Sequence, residues 1–170
     1  MTESSLVKLA RETIEAYVEN GKTISVPSPL PKELSARAGV FVSLKKGGAL
    51  RGCIGTFEPT TENIACEIIA NAVSASVRDP RFPPVKADEL SELEISVDVL
   101  TKPEKVSSTK ELDAKRYGVI VSARGRKGLL LPDLEGVDTP EAQIAIAMRK
   151  SGIGENEAME LFRFEVKRYH

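Results

Sequence analysis

The residues best suited to chemistry lie in one short segment, ALRGCIGTF at 49–57. Cys53, one of only two cysteines in the chain, follows Arg51 and Gly52 and precedes Gly55. If this segment is a β-strand, Arg51 and Cys53 share a face, with Cα atoms about 6.6 Å apart. A fixed positive charge so close favours the thiolate, which is the nucleophilic form of cysteine. The spacing therefore predicts a polarised thiol, with Cys53 and Arg51 as candidate catalytic residues.

The same residues also have a purely structural explanation. Gly52 and Gly55 weaken a strand and are typical of a bulge, or of a close approach by another backbone or a ligand. A free cysteine often packs in the core as a small hydrophobic residue, and Arg51 could simply pair with a carboxylate. From these residues alone, a reactive site and a packed strand are both open.

A second segment, RDPRFPPV at 78–85, follows a predicted helix and places two arginines near a carboxylate. Arg78 suits the last turn of that helix, and Asp79 followed by proline favours a turn. On a stiff loop, Arg78, Asp79, Arg81 and Phe82 would suit a clamp for an anion or a substrate. A stiff connector with an internal Asp79–Arg81 pair explains the same residues equally well.

A third group of charges, ARGRKG at 123–128, is typical of a hairpin tip and includes Arg126. Its cations would form a basic patch together with Lys45, Lys46, Lys115 and Arg116. The group lacks the interleaved aromatic residues of a nucleic-acid stacking surface. A solvated hairpin end is the alternative.

Composition excludes several function classes. The 170 residues include 24 basic and 25 acidic side chains, so no overall charge attracts nucleic acid or an anionic membrane. The first twenty residues lack the apolar stretch of a signal peptide, and no membrane span is expected. We therefore expect a cytoplasmic protein with free thiols at Cys53 and Cys66. Because the only histidine is His170, the usual residues of a histidine triad or a zinc site are missing, and no metal or cofactor is expected.

Hydrophobic periodicity predicts an α+β fold with an antiparallel β-sheet flanked by α-helices. A helix through Leu6–Val18 ends at Asn20-Gly21, and a hairpin turning at KKGG covers 39–57. The remaining predicted elements are a helix opened by Thr60 or Thr61, a strand over 93–100, a strand pair over 117–131, a helix from Thr139-Pro140 to Gly152, and a final strand over 161–166.

LRGCIGTF (50–57) and DPRFPPV (79–85) together resemble the motifs of the AMMECR domain family, in its stand-alone prokaryotic form. The resemblance continues in order through ELEISVDVLTKPEKV (92–106), YGVIVSARGRKGLLLP (117–132) and FRFEVKRY (162–169). Residues 133–160 depart from it, since some members have a Trp-Asp there and this chain has no tryptophan. The residues that match the family motifs are Leu50, Arg51, Gly52, Cys53, Ile54, Gly55, Asp79, Arg81 and Phe82.

The resemblance implies one AMMECR-type domain over residues 1–170. Its larger part would contain the antiparallel sheet, and LRGCIG would lie beside a cleft between it and a smaller second subdomain. The resemblance also implies association with Memo-like and radical-SAM proteins of the AmmeMemoRadiSam system. It supplies no reaction.

Three functions are open at this point. The favoured one is an enzyme, or its substrate-handling subunit: Cys53 would be the nucleophile or acceptor, Arg51 would lower its pKa or bind an anion, and Asp79 with Arg81 would orient a small or anionic substrate. The second is a module that binds RNA, a nucleotide or another anion through its arginines. The third is an adaptor that docks protein partners without catalysis.

Overall fold

The computed structural model describes residues 2–170, and the chain divides into two compact units. The first unit comprises the chain up to Val99 together with Lys167–His170, and the second comprises Leu100–Val166. Each unit has its own four-stranded sheet, in the order β2-β1-β3-β8 in the first and β4-β7-β5-β6 in the second. The elements in chain order are α1 (Ser5–Asn20), β1 (Val40–Lys46), β2 (Ala49–Thr56), α2 (Ile64–Val77), β3 (Leu93–Leu100), β4 (Glu104–Val106), β5 (Gly118–Ala123), β6 (Arg126–Leu130), α3 (Pro140–Ser151), β7 (Glu160–Phe164) and β8 (Val166–Tyr169). The predicted fold class, α+β with antiparallel sheets flanked by helices, is confirmed.

The ends of α1 follow from local capping. The Ser4 side chain accepts a hydrogen bond from the Val7 N–H, and Gly21 ends the helix in the left-handed conformation. A side-chain oxygen at the first position and a glycine past the last one satisfy backbone groups that the helix leaves unpaired. The predicted helix and its end at Asn20-Gly21 are confirmed.

The core of the first unit lies between its sheet and its two helices. Alternate residues of β1, namely Val40, Val42 and Leu44, are fully buried and pack in one cluster with residues of α1 and α2. The intervening residues Phe41 and Ser43 are only partly buried, as expected for the opposite face of a strand. The sheet therefore presents one face to the helices and another that carries polar side chains.

The start of α2 differs from the prediction. The helix is capped by the Asn63 side chain, which accepts a hydrogen bond from the Cys66 N–H at 2.9 Å. Thr60 and Thr61 lie in the preceding loop, where their backbone N–H groups and hydroxyls bind the buried carboxylate of Glu67. The prediction that Thr60 or Thr61 opens the helix is wrong. Both residues precede the helix, and their backbone N–H groups are bound by the Glu67 side chain.

The single strand predicted over 161–166 is also wrong. The segment contains two strands, β7 and β8, that belong to different sheets. Glu165 lies between them. Its carbonyl accepts from the Thr101 N–H at 2.9 Å, and its N–H donates to the Thr101 hydroxyl at 2.7 Å. Alternation of apolar residues indicates a strand but not the sheet to which it belongs.

The second unit is built around α3, which packs on β5 and β6 over a core that includes Val119, Val121 and Ala147. The helix begins after Thr139, whose side chain accepts from the Ala142 N–H, and ends at Gly152 in the left-handed conformation. The β5–β6 turn places both Arg124 and Gly125 at positive φ, as a two-residue hairpin turn requires. The predicted hairpin and helix are confirmed.

Among residues 2–170, no helix combines the length and apolar character needed to cross a bilayer.

Candidate functional site

Cys53 lies on β2, and the pairing of β2 with β1 contains a bulge at Arg51. Lys45 of β1 pairs with Leu50, whereas Leu44, which precedes Lys45, pairs with Gly52. Arg51 is therefore the extra residue on β2 and has no partner on β1. A bulge of this kind interrupts the alternation of side chains along a strand.

The side chain of Arg51 is fully occupied by groups other than Cys53. Its Nε and Nη2 bind the two oxygens of Glu89 at 3.0 Å each, and its Nη1 binds the Pro83 carbonyl at 2.9 Å. The Arg51 side chain is only 13% exposed, and its hydrogen bonds to Glu89 lower the pKa of that carboxyl to about 2. Arg51 therefore pairs with a carboxylate, the alternative considered from the sequence, and not with Cys53.

The thiol of Cys53 is correspondingly not activated. Burial raises its pKa above the ordinary value, and the nearby Asp98 and Asp79 carboxylates add to the increase. The hydrogen bond with Ser43 and the charge of Arg81 oppose it without reversing it. These surroundings favour the neutral thiol and do not supply the lowered pKa that a reactive thiolate needs.

The backbone of Cys53 is held from outside the sheet by the second motif. Because β2 is an edge strand, its outward-facing N–H and C=O groups have no neighbouring strand. The Cys53 N–H donates to Asp79 Oδ2 at 3.0 Å, and the Cys53 carbonyl accepts from Arg81 Nη2 at 3.1 Å. The two side chains thus replace a strand partner at this one residue.

Asp79 and Arg81 are themselves locked together. Asp79 is buried and accepts from the Arg81 Nε at 3.0 Å, the Arg81 Nη2 at 2.8 Å and the Arg81 N–H at 3.1 Å. These bonds hold the pKa of Asp79 far below its usual range. Arg81, whose side chain is 56% exposed, also lies 5.4 Å from the centroid of the Phe82 ring. The internal Asp79–Arg81 pair considered from the sequence is present.

The two glycines beside Cys53 accommodate the protein's own atoms. A Cβ on Gly52 would lie 2.3 Å from the carbonyl oxygen of Ala75 in α2. A Cβ on Gly55 would lie 2.2 Å from the ring of Phe41 on β1. Both distances are too short for a side chain, so Gly52 permits close helix packing and Gly55 permits the Phe41 ring to cover the strand.

The other predicted site residues lie in several different settings. Arg78 is exposed at the end of α2, and its side chain makes no hydrogen bond or ion pair with the residues that the structure describes. Leu50 is 42% exposed, and Ile54 packs against the core of the first unit. Arg126 belongs to the second unit, where it binds Glu157 and the Gly152 carbonyl.

The predicted basic patch is largely neutralised within each unit. Lys46 pairs with Glu89 and Glu92, and Arg116 pairs with Glu165. Lys115 pairs with two aspartates, Asp133 and Asp138. Several of the cations expected to form it are therefore already matched by carboxylates.

Two residues near Cys53, Ser43 and Asp98, were not identified from the sequence. Ser43 lies opposite Cys53 in the β1–β2 pairing, with 3.1 Å between its Oγ and the Cys53 Sγ. Asp98 on β3 is buried and receives two bonds from Arg168 on β8, at 2.7 and 2.9 Å. Alternation along β1 and β3 places Ser43 and Asp98 on the face away from the core, but only the bulge brings Ser43 opposite the cysteine.

The assembled groups are a partly exposed neutral thiol, a hydroxyl and a fixed guanidinium, at Cys53, Ser43 and Arg81 respectively. A neutral thiol donates weak hydrogen bonds and makes soft, polarisable contacts. Within residues 2–170, no three histidine, cysteine or acidic side chains are grouped as metal ligands. The arrangement suits ligand contact better than nucleophilic attack, because no basic side chain of the described residues is hydrogen-bonded to the thiol.

Comparison with known proteins agrees with the motifs. A protein of Thermotoga maritima is 52% identical over 170 residues, covering 98% of each chain, and one of Methanothermobacter thermautotrophicus is 37% identical, covering 98% of this chain and 92% of that one. Protein CA_C1420 of Clostridium acetobutylicum is 50% identical over 165 residues, but this chain spans only 35% of its length. The crystal structure of the uncharacterized protein PH0010 from Pyrococcus horikoshii superposes with a TM-score of 0.86 at 35% identity, covering 96% of this chain and 88% of that one. The AMMECR1 family model matches residues 7–169, and the chain belongs to the AMMECR1 family.

Proposed function

We propose that the first-unit sheet around Cys53 is a binding site for a small anionic ligand or substrate, which contacts the thiol directly. The observation that carries the proposal is the fixation of Cys53 by Asp79 and Arg81. Two side chains 26 and 28 residues away bind both outward-facing backbone groups of this one residue, while its side chain stays partly exposed. A backbone held this firmly beside an accessible thiol is a preorganised contact.

Arg81 supplies the anion-binding element. Its Nε and Nη2 are bonded to Asp79 and Cys53, whereas its Nη1 makes no hydrogen bond with the residues that the structure describes. Because Asp79 is buried, the guanidinium is fixed before a ligand arrives and loses little freedom on binding. The exposed Arg78, one residue before Asp79, adds a positive charge to the same segment.

The neutral state of Cys53 sets the kind of chemistry that this site supports. A thiol whose pKa is raised by burial is a poor nucleophile at neutral pH. The thiol therefore acts as a hydrogen-bonding and packing group toward the bound molecule. A covalent step would require a base supplied by the substrate or by a partner protein.

A matched pair of alkylating reagents tests the proposal. Iodoacetate and iodoacetamide differ mainly in charge, so the ratio of their rates at Cys53 reports whether the surroundings attract an anion. We expect a ratio severalfold higher in the folded Cys66→Ala protein than in the same chain unfolded in urea. The Arg81→Lys variant should retain part of this preference, whereas Arg81→Gln should lose it because the positive charge is removed.

Arg149→Ala, an exposed arginine of the second unit, is the control and should leave the ratio unchanged. A ratio equal to that of the unfolded chain would contradict anion binding at Cys53. So would a preference for iodoacetate that persists in Arg81→Gln.

The family resemblance further leads us to propose a cytoplasmic protein that works with Memo-like and radical-SAM partners. Co-elution of this chain with either partner at micromolar concentration would support the association. Failure of all three proteins to co-elute would count against it. Binding of RNA through Arg51 and Arg126 has less support, because both guanidinium groups are bonded within the chain.

A further inference from the structure

A second candidate site lies entirely within the second unit. A cavity of about 470 Å³ is lined by residues at the start of β5, the end of β7 and the segment after β3, including Lys102, Arg116, Tyr117 and Arg163. Cavities between about 300 and 1,000 Å³ are typical of sites for small organic ligands. The size therefore admits a molecule larger than an inorganic ion.

The cavity contains more positive than negative side chains. Three cations, Lys102, Arg116 and Arg163, line it together with two carboxylates, Glu104 and Glu165. Arg163 binds Glu104 at 3.1 Å and Arg116 binds Glu165 at 3.0 Å. Lys102 forms no ion pair with any of residues 2–170, so its ammonium is the unmatched charge.

Both guanidinium groups retain free donors. Arg163 uses its Nε and Nη1 for Glu104 and the Glu111 carbonyl, and Arg116 uses its Nε and Nη2 for Glu165. The remaining nitrogens, Arg163 Nη2 and Arg116 Nη1, make no hydrogen bond with the described residues. Guanidinium groups bind phosphate oxygens readily through such donors.

An aromatic ring stands at the centre of this cluster. The Tyr117 ring centroid lies 4.5 Å from the Arg163 Cζ and 4.9 Å from the Arg116 Cζ. Its backbone is fixed at both ends, since its N–H donates to the Asp113 carbonyl at 2.8 Å and its carbonyl accepts from the buried Gln143 side chain at 2.9 Å. Aromatic rings and guanidinium planes are the surfaces on which nucleobases stack.

We propose that this cavity binds a nucleoside monophosphate. The phosphate is held by the Lys102 ammonium and the free nitrogens of Arg116 and Arg163, and the base stacks on the tyrosine–guanidinium cluster. The site is separate from the one at Cys53 and shares no residue with it, so either can fail without the other.

Titration with AMP, followed by calorimetry and by backbone amide shifts, tests this proposal. We expect saturable binding with a Kd below about 1 mM and with the largest shifts at Thr101, Tyr117 and Gly118. Lys102→Ala should weaken binding roughly fivefold, the size expected for one exposed ion pair, and Lys102→Arg should restore most of it. Lys110→Ala, an exposed lysine of the same unit outside the cavity, should leave the Kd unchanged.

Adenosine separates the two parts of the ligand and should bind more weakly than AMP. The proposal is overturned if AMP binds with a Kd above about 1 mM, if adenosine binds as tightly as AMP, or if Lys102→Ala has no effect. Shifts confined to Cys53 and Arg81 would also overturn it and would assign the binding to the other site.

Discussion

At the scale of single residues, the backbone of Cys53 is held by hydrogen bonds while the residue stays partly exposed. The N–H and carbonyl of Cys53 are bound by Asp79 and Arg81. Among residues 2–170, the thiol lies at hydrogen-bond distance from the Ser43 hydroxyl alone. The two family motifs therefore converge on the backbone of one residue.

The buried carboxylate of Asp79 should make a pH-dependent contribution to stability. We expect Asp79→Asn to lower the free energy of unfolding by about 2 kcal/mol at pH 7, since charge-assisted hydrogen bonds are lost. The folded-state pKa of Asp79 is depressed, so its contribution is complete above the ordinary pKa of about 3.9 and is lost as the pH falls below it. Urea denaturation of both proteins should show a difference that shrinks between about pH 4 and pH 2.

Asp88→Asn is the matched control, because Asp88 is exposed and its side chain makes no hydrogen bond or ion pair within residues 2–170, and it should change stability by less than about 0.5 kcal/mol. A difference between Asp79→Asn and wild type that stays constant from pH 7 to pH 2 would contradict the role given to the charge.

At the scale of elements, the position of β2 depends on how closely α2 approaches it. The carbonyl of Ala75, near the end of that helix, occupies the space where a side chain at position 52 would lie. The loop that carries Asp79 begins directly after the same helix. Close packing at Gly52 therefore also sets the distance from Asp79 to the Cys53 N–H.

Gly52→Ala tests this dependence. The added Cβ would lie 2.3 Å from a backbone oxygen that cannot rotate away, so we expect a loss of about 3 kcal/mol or more in the free energy of unfolding. Gly154→Ala is the control, because the nearest atom to its Cβ is a Glu157 side-chain oxygen at 3.5 Å. Thermal and urea denaturation that found the two variants equally stable would show that α2 can move away at little cost.

The elements themselves were largely predictable because their signals are local. Ser4 and Gly21 mark the ends of α1, and the glycines at 47 and 48, both at positive φ, mark the β1–β2 turn. A bulge was one of the structures expected from Gly52 and Gly55, and the pairing of β1 with β2 contains one. Its position at Arg51 was not predictable, because the groups that bind Arg51, on Glu89 and Pro83, lie outside the LRGCIG segment. Without the bulge, the pairing set by the turn would continue and place Gly52 opposite Ser43, so the Ser43–Cys53 contact could not be foreseen.

At the scale of the whole molecule, the last strand connects the end of the chain to the sheet of the first unit. The chain leaves that sheet after β3, forms the second unit and returns as β8. The return is fixed by Arg168, which binds both oxygens of the buried Asp98. The sheet of the first unit therefore contains residues from both sides of the second unit in the sequence.

Arg168→Leu should destabilise the protein through Asp98. Removing the partner of a buried carboxylate typically lowers the free energy of unfolding by about 3 to 5 kcal/mol. Because the Arg168 side chain is 43% exposed, we expect a loss near the lower end of that range. Adding Asp98→Asn to Arg168→Leu should recover part of the loss, because the remaining buried group is then uncharged. Lys167→Leu, a substitution in the same strand, should cost less than about 0.5 kcal/mol.

Denaturation of the four proteins gives the coupling between the two residues. If the effects of Asp98→Asn and Arg168→Leu on the free energy of unfolding were additive, the Asp98–Arg168 pair would not be what fixes β8. Hydrogen exchange should show that the loss of protection in Arg168→Leu is greatest in β3 and β8.

The proposal that Cys53 contacts a ligand as a neutral thiol is tested most directly by its rate of alkylation as a function of pH. The rate is measured with iodoacetamide in the Cys66→Ala protein. We predict that the folded protein reacts with an apparent pKa above the value of about 8.5 for a free thiol, and that Arg51→Ala leaves this pKa unchanged. An apparent pKa well below that of a free thiol, which Arg51→Ala then raises, would contradict a neutral Cys53 and would indicate that Cys53 is a nucleophile. A thiol that reacts only after the protein unfolds would contradict the binding site altogether.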